Sequence, residues 1–404
     1  MKAKIAVIGG GINGVTTAWK LAEQGATVHL FERGELMQAT SKASSKLLHG
    51  GLRYLEQGEF RLVHEALQER RWWLKKAPQL TRRLPILYPV YAQGRRPRWQ
   101  LKIGLWLYDA LANRRGIGRH RWLTRAQTLR ASPFLRAEGL QGAYLFFDGQ
   151  MDDQQLGLWV AEQAAARGVV FHTQQAVSKV SPEGKLWLAA APSTMASSTM
   201  PSSPSSTPPS SITSSSTMAS QEPLQFDMVL NIAGPWSSQL LQQSGLPDPQ
   251  PLDLVRGSHL LLPSLSRYGH MLEVPGEPRI VFALPYQHHT LVGTTEVRQG
   301  ITEPVQVSAA ERDYLLTLMN HYFHYPRQST GQDAGVGSFS AADIHAEFAG
   351  VRPLLAGSAT ASRASREYAL HWQQQLLTVS GGKWTTARAL AQKVVQQVRQ
   401  RLST

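Results

Sequence analysis

Apolar and polar positions along this chain change period abruptly, and each change marks an element. KIAVIGG, residues 4 to 10, is a continuous apolar run ending in glycine, as a buried strand does. INGVTTAWKLAEQG then carries apolar positions at helical spacing and stops at Gly25, a C′ glycine. TVHLFER reads as a second strand, so residues 4 to 32 predict one βαβ unit. A long charged helix is predicted from Glu59 to Ala77, with Pro78 just beyond its end. DQQLGLWVAEQAAAR, 153 to 167, predicts another helix, and GVVFHTQQAVSKV predicts strands returning to a sheet. KLWLAA and FDMVLNIAG read as strands, the latter running into the helix GPWSSQLL. VRGSHLLLP, RIVFALPY and TLVGTTEV alternate as antiparallel strands of a second sheet do. GVRPLL, SREYAL and LLTVSGGKWTTARALAQKVVQQVRQ close the chain in a long helix whose Gly-Gly start follows a strand. Such a start can hold a phosphate or carbonyl oxygen on backbone N–H groups.

One stretch has no period. From Pro192 to Ser220 the chain is almost only Ser, Thr, Pro, Met and Ala, without charge. It cannot bury enough apolar surface to offset the entropy of ordering, so 191–220 is predicted to be a disordered surface loop.

With 404 residues and 42% apolar composition, the chain can build a large core as two interleaved lobes. It has no cysteine, which excludes disulfides, thiolate nucleophiles and cysteine-ligated metals, and is compatible with a reducing compartment. The opening MKAKIAVIGGG goes straight into a strand without a signal stretch, and no run of about 18 apolar residues occurs. The expectation is a cytoplasmic protein, with peripheral contact on the inner face of the cytoplasmic membrane left open.

The net charge of +14 sits mostly in one place: between Arg82 and Arg136 there are thirteen Lys or Arg and one acid, Asp109. RRPRWQLKIGLWLYDALANRR mixes these cations with Trp99, Leu101, Ile103, Leu105, Trp106 and Tyr108. Such a segment is either an amphipathic element that rests on an anionic membrane surface or a solvated helix with its apolar side on the core. No helix-turn-helix, zinc finger or stacking motif accompanies the charge, so nucleic acid is not an expected partner.

Gly9-Gly10-Gly11-Ile12-Asn13-Gly14 matches G-x-G-x-x-G between a strand and a helix. Gly9 permits the tight turn, Gly11 lets backbone approach a pyrophosphate, and Gly14 lets helix and strand pack closely. Glu32 ends the second strand where a carboxylate accepts hydrogen bonds from a ribose diol, which favours FAD or NAD over NADP. The chain then runs into the polar RGELMQATSKASSKLLHGGLRY rather than a second mononucleotide half, and a loop so rich in donors can line a bound cofactor.

In order along residues 4 to about 395, GGGINGVTTAWKLAEQG, ATSKASSKLLHGGLRYLEQGEFRLVHEALQER, NIAGPW, RGSHLLLP, RIVFALPY with LVGTTEV, GVRPLL, SREY and SGGKWTTAR resemble the FAD-dependent glycerol-3-phosphate dehydrogenases. These belong to the D-amino-acid-oxidase-like flavoproteins, and TSKASSKLLHGGLRYLE is the stretch specific to the family. The resemblance implies an α/β fold in which a Rossmann-like FAD-binding lobe (1–75, 145–245 and 345–404) is interleaved with an α+β substrate lobe on an antiparallel sheet (76–144 and 246–344). It implies oxidation of sn-glycerol 3-phosphate to dihydroxyacetone phosphate, with electrons passed to a quinone or other acceptor. The loop from Thr40 through Ser41, Ser45 and Lys46 to Leu47 would wrap the flavin, and His49 and Arg53 would face the substrate, His49 as base. Arg352, Arg366 and Lys383 would serve the substrate phosphate or the flavin carbonyls. Asn13, Arg33, Val177, Gly234, Trp236 and Gly382 are further candidates for cofactor contact, Tyr54 for substrate and Thr385 for both. The glycines of HGGLRY would bring backbone close to the flavin. No metal is implied. Glu367 stands where the family carries aspartate, Met151-Asp152-Asp153 replaces its VDD, and the resemblance implies a short form without the usual C-terminal helical domain. Oligomeric state has no signal in the sequence. An amine or 2-hydroxy-acid oxidase of the same superfamily, with one arginine for a carboxylate, and a non-catalytic flavin-binding module are the alternative readings.

Overall fold

The computed structural model describes residues 1–112, 116–190, 222–326, 336–356 and 368–403, apart from the side chains of Arg53, Gln57, Pro326 and Val336. The Ser/Thr/Pro loop, Arg366 and Glu367 lie outside the described residues.

Two large sheets organise the chain. The first has six strands in the order Tyr368–Gln373, Leu376–Gly381, Met228–Asn231, Lys4–Ile8, Thr27–Phe31 and Val170–His172. Its members from Leu376–Gly381 to Val170–His172 are parallel, and Tyr368–Gln373 closes one edge antiparallel. Parallel strands need cover on both faces, which explains why Lys4–Ile8 is an unbroken apolar run. Helix Ile12–Ala22 connects Lys4–Ile8 to Thr27–Phe31 and packs against helices Asp153–Ala165 and Ala387–Ser403. Val15, Ala18, Trp19 and Leu21 fill that core with Val160, Leu390 and Val394. The predicted βαβ unit is therefore present.

The second sheet has ten strands, with a path Val297–Arg298, Leu252–Pro263, His289–Gly293, Ile280–Tyr286, Gly269–Glu273, Thr81–Tyr91, Leu140–Met151 and Leu47–Leu48. Ala346–Leu355 also pairs with Leu252–Pro263, and Arg121–Thr124 with Leu140–Met151. Pairing is antiparallel except between Gly269–Glu273 and Thr81–Tyr91. Helix Ala309–Tyr322 starts at a capping box between Ser308 and Glu311 and covers one face.

The sheets divide the chain differently from the sequence expectation at two boundaries. Leu140–Met151 runs whole along Thr81–Tyr91 instead of being split at 145, and Ala346–Leu355 pairs over its full length with Leu252–Leu261. A strand follows the ladder that satisfies its backbone, and ladder partners are set by distant residues. For the same reason Val177–Val180 does not return to the first sheet: it forms a separate three-stranded sheet with Lys185–Leu188 and Leu224–Gln225. The predicted helix from Glu59 to Ala77 spans Phe60–Lys76. The basic segment is not one element but strand Thr81–Tyr91, helix Arg98–Leu111, strand Arg121–Thr124 and helix Arg125–Ala131. Part of its charge is internal, since Arg96 is buried and pairs with Glu56 and Glu273.

Candidate functional site

A cavity of about 810 Å³ is lined by residues of both large sheets. At one end lies the turn from strand Lys4–Ile8 into helix Ile12–Ala22. A Cβ on Gly9 would meet the Ile232 carbonyl oxygen at 2.4 Å, and one on Gly14 would meet the Gly9 carbonyl oxygen at 2.0 Å, so both positions exclude a side chain. Gly11 caps the helix without a side chain, Ile12 N–H donates to Ser41 Oγ (2.9 Å), and the open N-terminus faces the cavity. Glu32 accepts from Gly10 N–H (2.6 Å) through Oε2 and from Gly34 N–H (2.9 Å) through Oε1. A carboxylate has about four acceptor positions, so capacity for a diol is left. The Arg33 guanidinium lies 3.8 Å over the Trp236 ring, and both line the cavity with Val177 and Gly234.

The loop after strand Thr27–Phe31 forms a second wall. Thr40 Oγ1 donates to the Val351 carbonyl (2.7 Å), and the Ser45 hydroxyl pairs with His259 Nε2 (2.9 Å). Thr40, Ser41, Ser45 and Leu47 all line the cavity. Lys46 departs from its expected place: it is absent from the lining, and its Nζ donates to Asp153 Oδ1 (2.6 Å) and the Lys42 carbonyl (2.6 Å). Asp153 also accepts from the backbone and hydroxyl of Ser44 (3.1 and 2.7 Å), so Lys46 fastens the loop to helix Asp153–Ala165. Nothing in the spacing of SSKLL announces that partner, 107 residues away.

A third wall completes the cavity. His49, Tyr54, Arg352, Lys383, Gly382 and Thr385 line it. The Lys383 ammonium sits 4.0 Å over the Tyr54 ring, whose centroid is 6.5 Å from that of His49. Arg352 donates to the Thr295 carbonyl (3.1 Å) and lies 3.7 Å from Glu296. Arg53 belongs to the 3-10 helix Leu52–Gln57, its side chain lying outside the described residues, as does all of Arg366. The glycines of HGGLRY are also required by packing, and Gly51 lines the cavity. A Cβ on Gly50 would meet Leu67 at 2.3 Å and the Tyr108 hydroxyl at 2.5 Å, while Gly51 has φ +76 and its Cβ would strike the Tyr54 ring at 2.2 Å. They accommodate packing and a left-handed turn.

Asp148, His259 and Glu296 also line the cavity without having been singled out in the sequence. Each lies in a strand or beside a strand end, and only the long-range pairing brings it to the wall. Burial, with the charges of Lys46 and Arg352, pushes the His259 pKa down to about 3, so its imidazole is neutral. Its ring stacks on Phe348 at 4.8 Å.

Residues 4–397 match the FAD dependent oxidoreductase family, DAO. The chain is 35% identical to a glycerol-3-phosphate dehydrogenase of Pseudomonas aeruginosa over 98% of its own length and 71% of that protein. The chain belongs to the FAD-dependent glycerol-3-phosphate dehydrogenase family. It is also 31% identical to a D-erythritol 1-phosphate dehydrogenase of Brucella abortus, over 97% of this chain and 73% of that one. A solved glycerol-3-phosphate dehydrogenase from Bacillus halodurans, complexed with FAD, shares the fold at TM-score 0.71 and 23% identity. The match covers 100% of this chain and 65% of that structure's.

The cofactor of this family is FAD, and the residues present fit it. The glycine turn leaves a backbone cradle that a Cβ would fill. Asn13 Oδ1 and His259 Nδ1 are buried without a hydrogen-bond partner among the described residues, on side chains that line the cavity. A bound polar group would satisfy such atoms. Among the described residues no cluster of His, Asp and Glu could hold a metal ion.

Proposed function

We propose that this flavoenzyme oxidises sn-glycerol 3-phosphate to dihydroxyacetone phosphate. The observation that carries the reading is the wall formed by His49, Tyr54, Lys383 and Arg352, in the same cavity as the glycine turn and Glu32. Bound FAD supplies the acceptor for the hydride that leaves the alcohol carbon. Gly9, Gly11, Asn13 and Gly14 hold its pyrophosphate end, Glu32 its ribose, and Arg33, Val177, Gly234 and Trp236 the region beside them. Thr40, Ser41, Ser45, Leu47, Gly382 and Thr385 line the flavin. His49 takes the hydroxyl proton as the carbonyl forms, since oxidation of a secondary alcohol releases one. Arg352 and Lys383 hold the phosphate, with Tyr54 and Thr385 closing the pocket. A dianion is best held by more than one cation, and a lone carboxylate needs only one. That difference favours a phosphorylated alcohol over an amino acid or hydroxy acid.

The electron acceptor in this reading is a quinone reached at an anionic membrane surface. Helix Arg98–Leu111 supports it: Trp99, Ile103 and Trp106 share one outward face and are 66%, 57% and 64% exposed. Exposed Arg95, Arg98 and Lys102 stand on or beside that helix. Aromatic rings beside cations suit the headgroup region of a bilayer. No helix among the described residues is long and apolar enough to cross one.

The test is a substrate panel on the FAD-loaded protein under anaerobic conditions. Glycerol 3-phosphate is expected to bleach the flavin band, with glycine, proline and lactate leaving it unchanged. Bleaching by erythritol 1-phosphate alone would move the assignment to a longer alcohol, and bleaching by glycine alone would replace it with an amine oxidase. Vesicles containing phosphatidylglycerol are expected to co-sediment the protein, and Trp106→Glu to release it.

A further inference from the structure

Beneath the His49 turn lies a charged network that the proposed chemistry does not use. Asp148, on strand Leu140–Met151, is buried and accepts through Oδ1 from Arg70 Nη1 (2.5 Å), the Tyr108 hydroxyl (2.8 Å) and Gly50 N–H (3.2 Å). Gly50 N–H also donates to the Tyr108 oxygen at 2.9 Å, and Arg70 Nη1 donates to the Phe147 carbonyl at 3.1 Å. Tyr108, from helix Arg98–Leu111, and Asp148 both receive that peptide N–H, and Arg70, from helix Phe60–Lys76, donates to both of them. Arg70 and Tyr108 are buried too.

Burying an arginine, a carboxylate and a phenol together is costly, and a hydrophobic trio would stabilise the fold as well. The network does one thing that such a trio could not: it grips the amide that directly follows His49. The absent side chain at Gly50 is what lets the Tyr108 hydroxyl reach that amide. Asp148 itself also lines the cavity beside His49.

We propose that Asp148, Arg70 and Tyr108 are positioning residues that fix the His49–Gly50 peptide and so aim the His49 imidazole at the substrate hydroxyl. The inference rests on the reading of His49 as the base. A general base must stand within hydrogen-bond reach of the proton it takes, and a displacement of about 1 Å costs on the order of a hundredfold in rate.

Tyr108→Phe tests this most gently, because it removes the hydroxyl and leaves the Arg70–Asp148 pair intact. Expected are a melting temperature and FAD affinity close to those of the unmutated protein. Flavin reduction at saturating glycerol 3-phosphate is expected to slow about tenfold to a hundredfold, with KM changed less than about threefold. The His49 resonances in a histidine-labelled NMR spectrum, assigned with His49→Gln, are expected to shift. Asp148→Asn should act in the same direction and more strongly. An unchanged reduction rate, or a rate loss without movement of the His49 resonances, overturns the proposal. So does a rate loss that merely tracks lost FAD affinity. Should the unmutated protein bind FAD yet resist reduction by glycerol 3-phosphate, the proposed function fails. The His49 resonances in Tyr108→Phe then still decide whether the network sets that ring.

Discussion

Replacing Asp153 by alanine leaves a buried charge alone. Asp153 is fully buried and Lys46 only 6% exposed, with Nζ and Oδ1 2.6 Å apart. The remaining surroundings of the ammonium are the Lys42 carbonyl and the rings of Phe348 and Tyr286, with centroids 5.1 and 5.7 Å away. Removing one member of a buried pair typically costs about 3–5 kcal/mol, against a net stability of about 5–15 kcal/mol for a whole domain. Two hydrogen bonds from Ser44 are lost as well, so the upper part of that range applies. Lys46→Met should cost less, because the carboxyl can take a proton and keep the Ser44 donors. The double change Lys46→Met with Asp153→Ala removes both charges and should cost less than Asp153→Ala alone. Urea unfolding followed by circular dichroism gives the three differences, and the cycle should show a coupling of about 2 kcal/mol or more. An Asp153→Ala cost below about 1 kcal/mol, or additive single changes, would refute the view that this pair locks the loop. FAD retained by Lys46→Met would further separate the locking role from the direct cofactor contact expected from the sequence.

Buried histidines make stability depend on pH. His259 and His270 have pKa values pushed down by burial to about 3 and about 4, from an ordinary 6.5. The unfolded chain therefore binds these protons first. Stability is complete above pH 6.5 and falls as pH drops towards 4, by about 1.4 kcal/mol per pH unit for each ring. Urea midpoints at pH 7, 6 and 5 should decline, and His259→Gln should flatten the decline; a midpoint independent of pH contradicts the assignment. Gly14→Ala puts a Cβ 2.0 Å from a backbone oxygen that cannot give way cheaply. FAD affinity, read by fluorescence titration, should fall by about a hundredfold, a loss of about 2.7 kcal/mol. Gly104→Ala, with open space around it, should leave that affinity unchanged. Burial alone would raise the Glu311 pKa, but hydrogen bonds from Thr295, Ser258, Arg256 and Ser308 hold it down at about 2. Its contribution is present above pH 4.5 and lost as pH falls through about 2, so Glu311→Gln should lower the urea midpoint at pH 7 but have little effect near pH 2.

What was legible in the sequence was local. The βαβ unit could be read because a buried parallel strand, a helix and the glycines between them each leave a pattern within about thirty residues. The same holds for Glu32 and the hydroxyl-rich loop, most of whose residues up to Leu47 line the cavity. What escaped depends on partners far along the chain. Lys46 sits among cavity residues in sequence, yet Asp153 turns it away. Asp148 and His259 reach the wall through the ladders of Leu140–Met151 and Leu252–Pro263, whose registers no local pattern specifies. The packing that excludes a side chain at Gly50 escaped too, because Leu67 and Tyr108, which fill the space beside it, come from helices that follow.

The most direct measurement is a single turnover in the absence of oxygen. FAD-loaded protein is mixed with excess glycerol 3-phosphate, the flavin absorbance is followed, and dihydroxyacetone phosphate is counted in the quench. The account predicts complete bleaching with one dihydroxyacetone phosphate per flavin, and loss of both signals in His49→Gln with FAD still bound. Flavin that stays oxidised, or that bleaches without releasing the ketone phosphate, contradicts it.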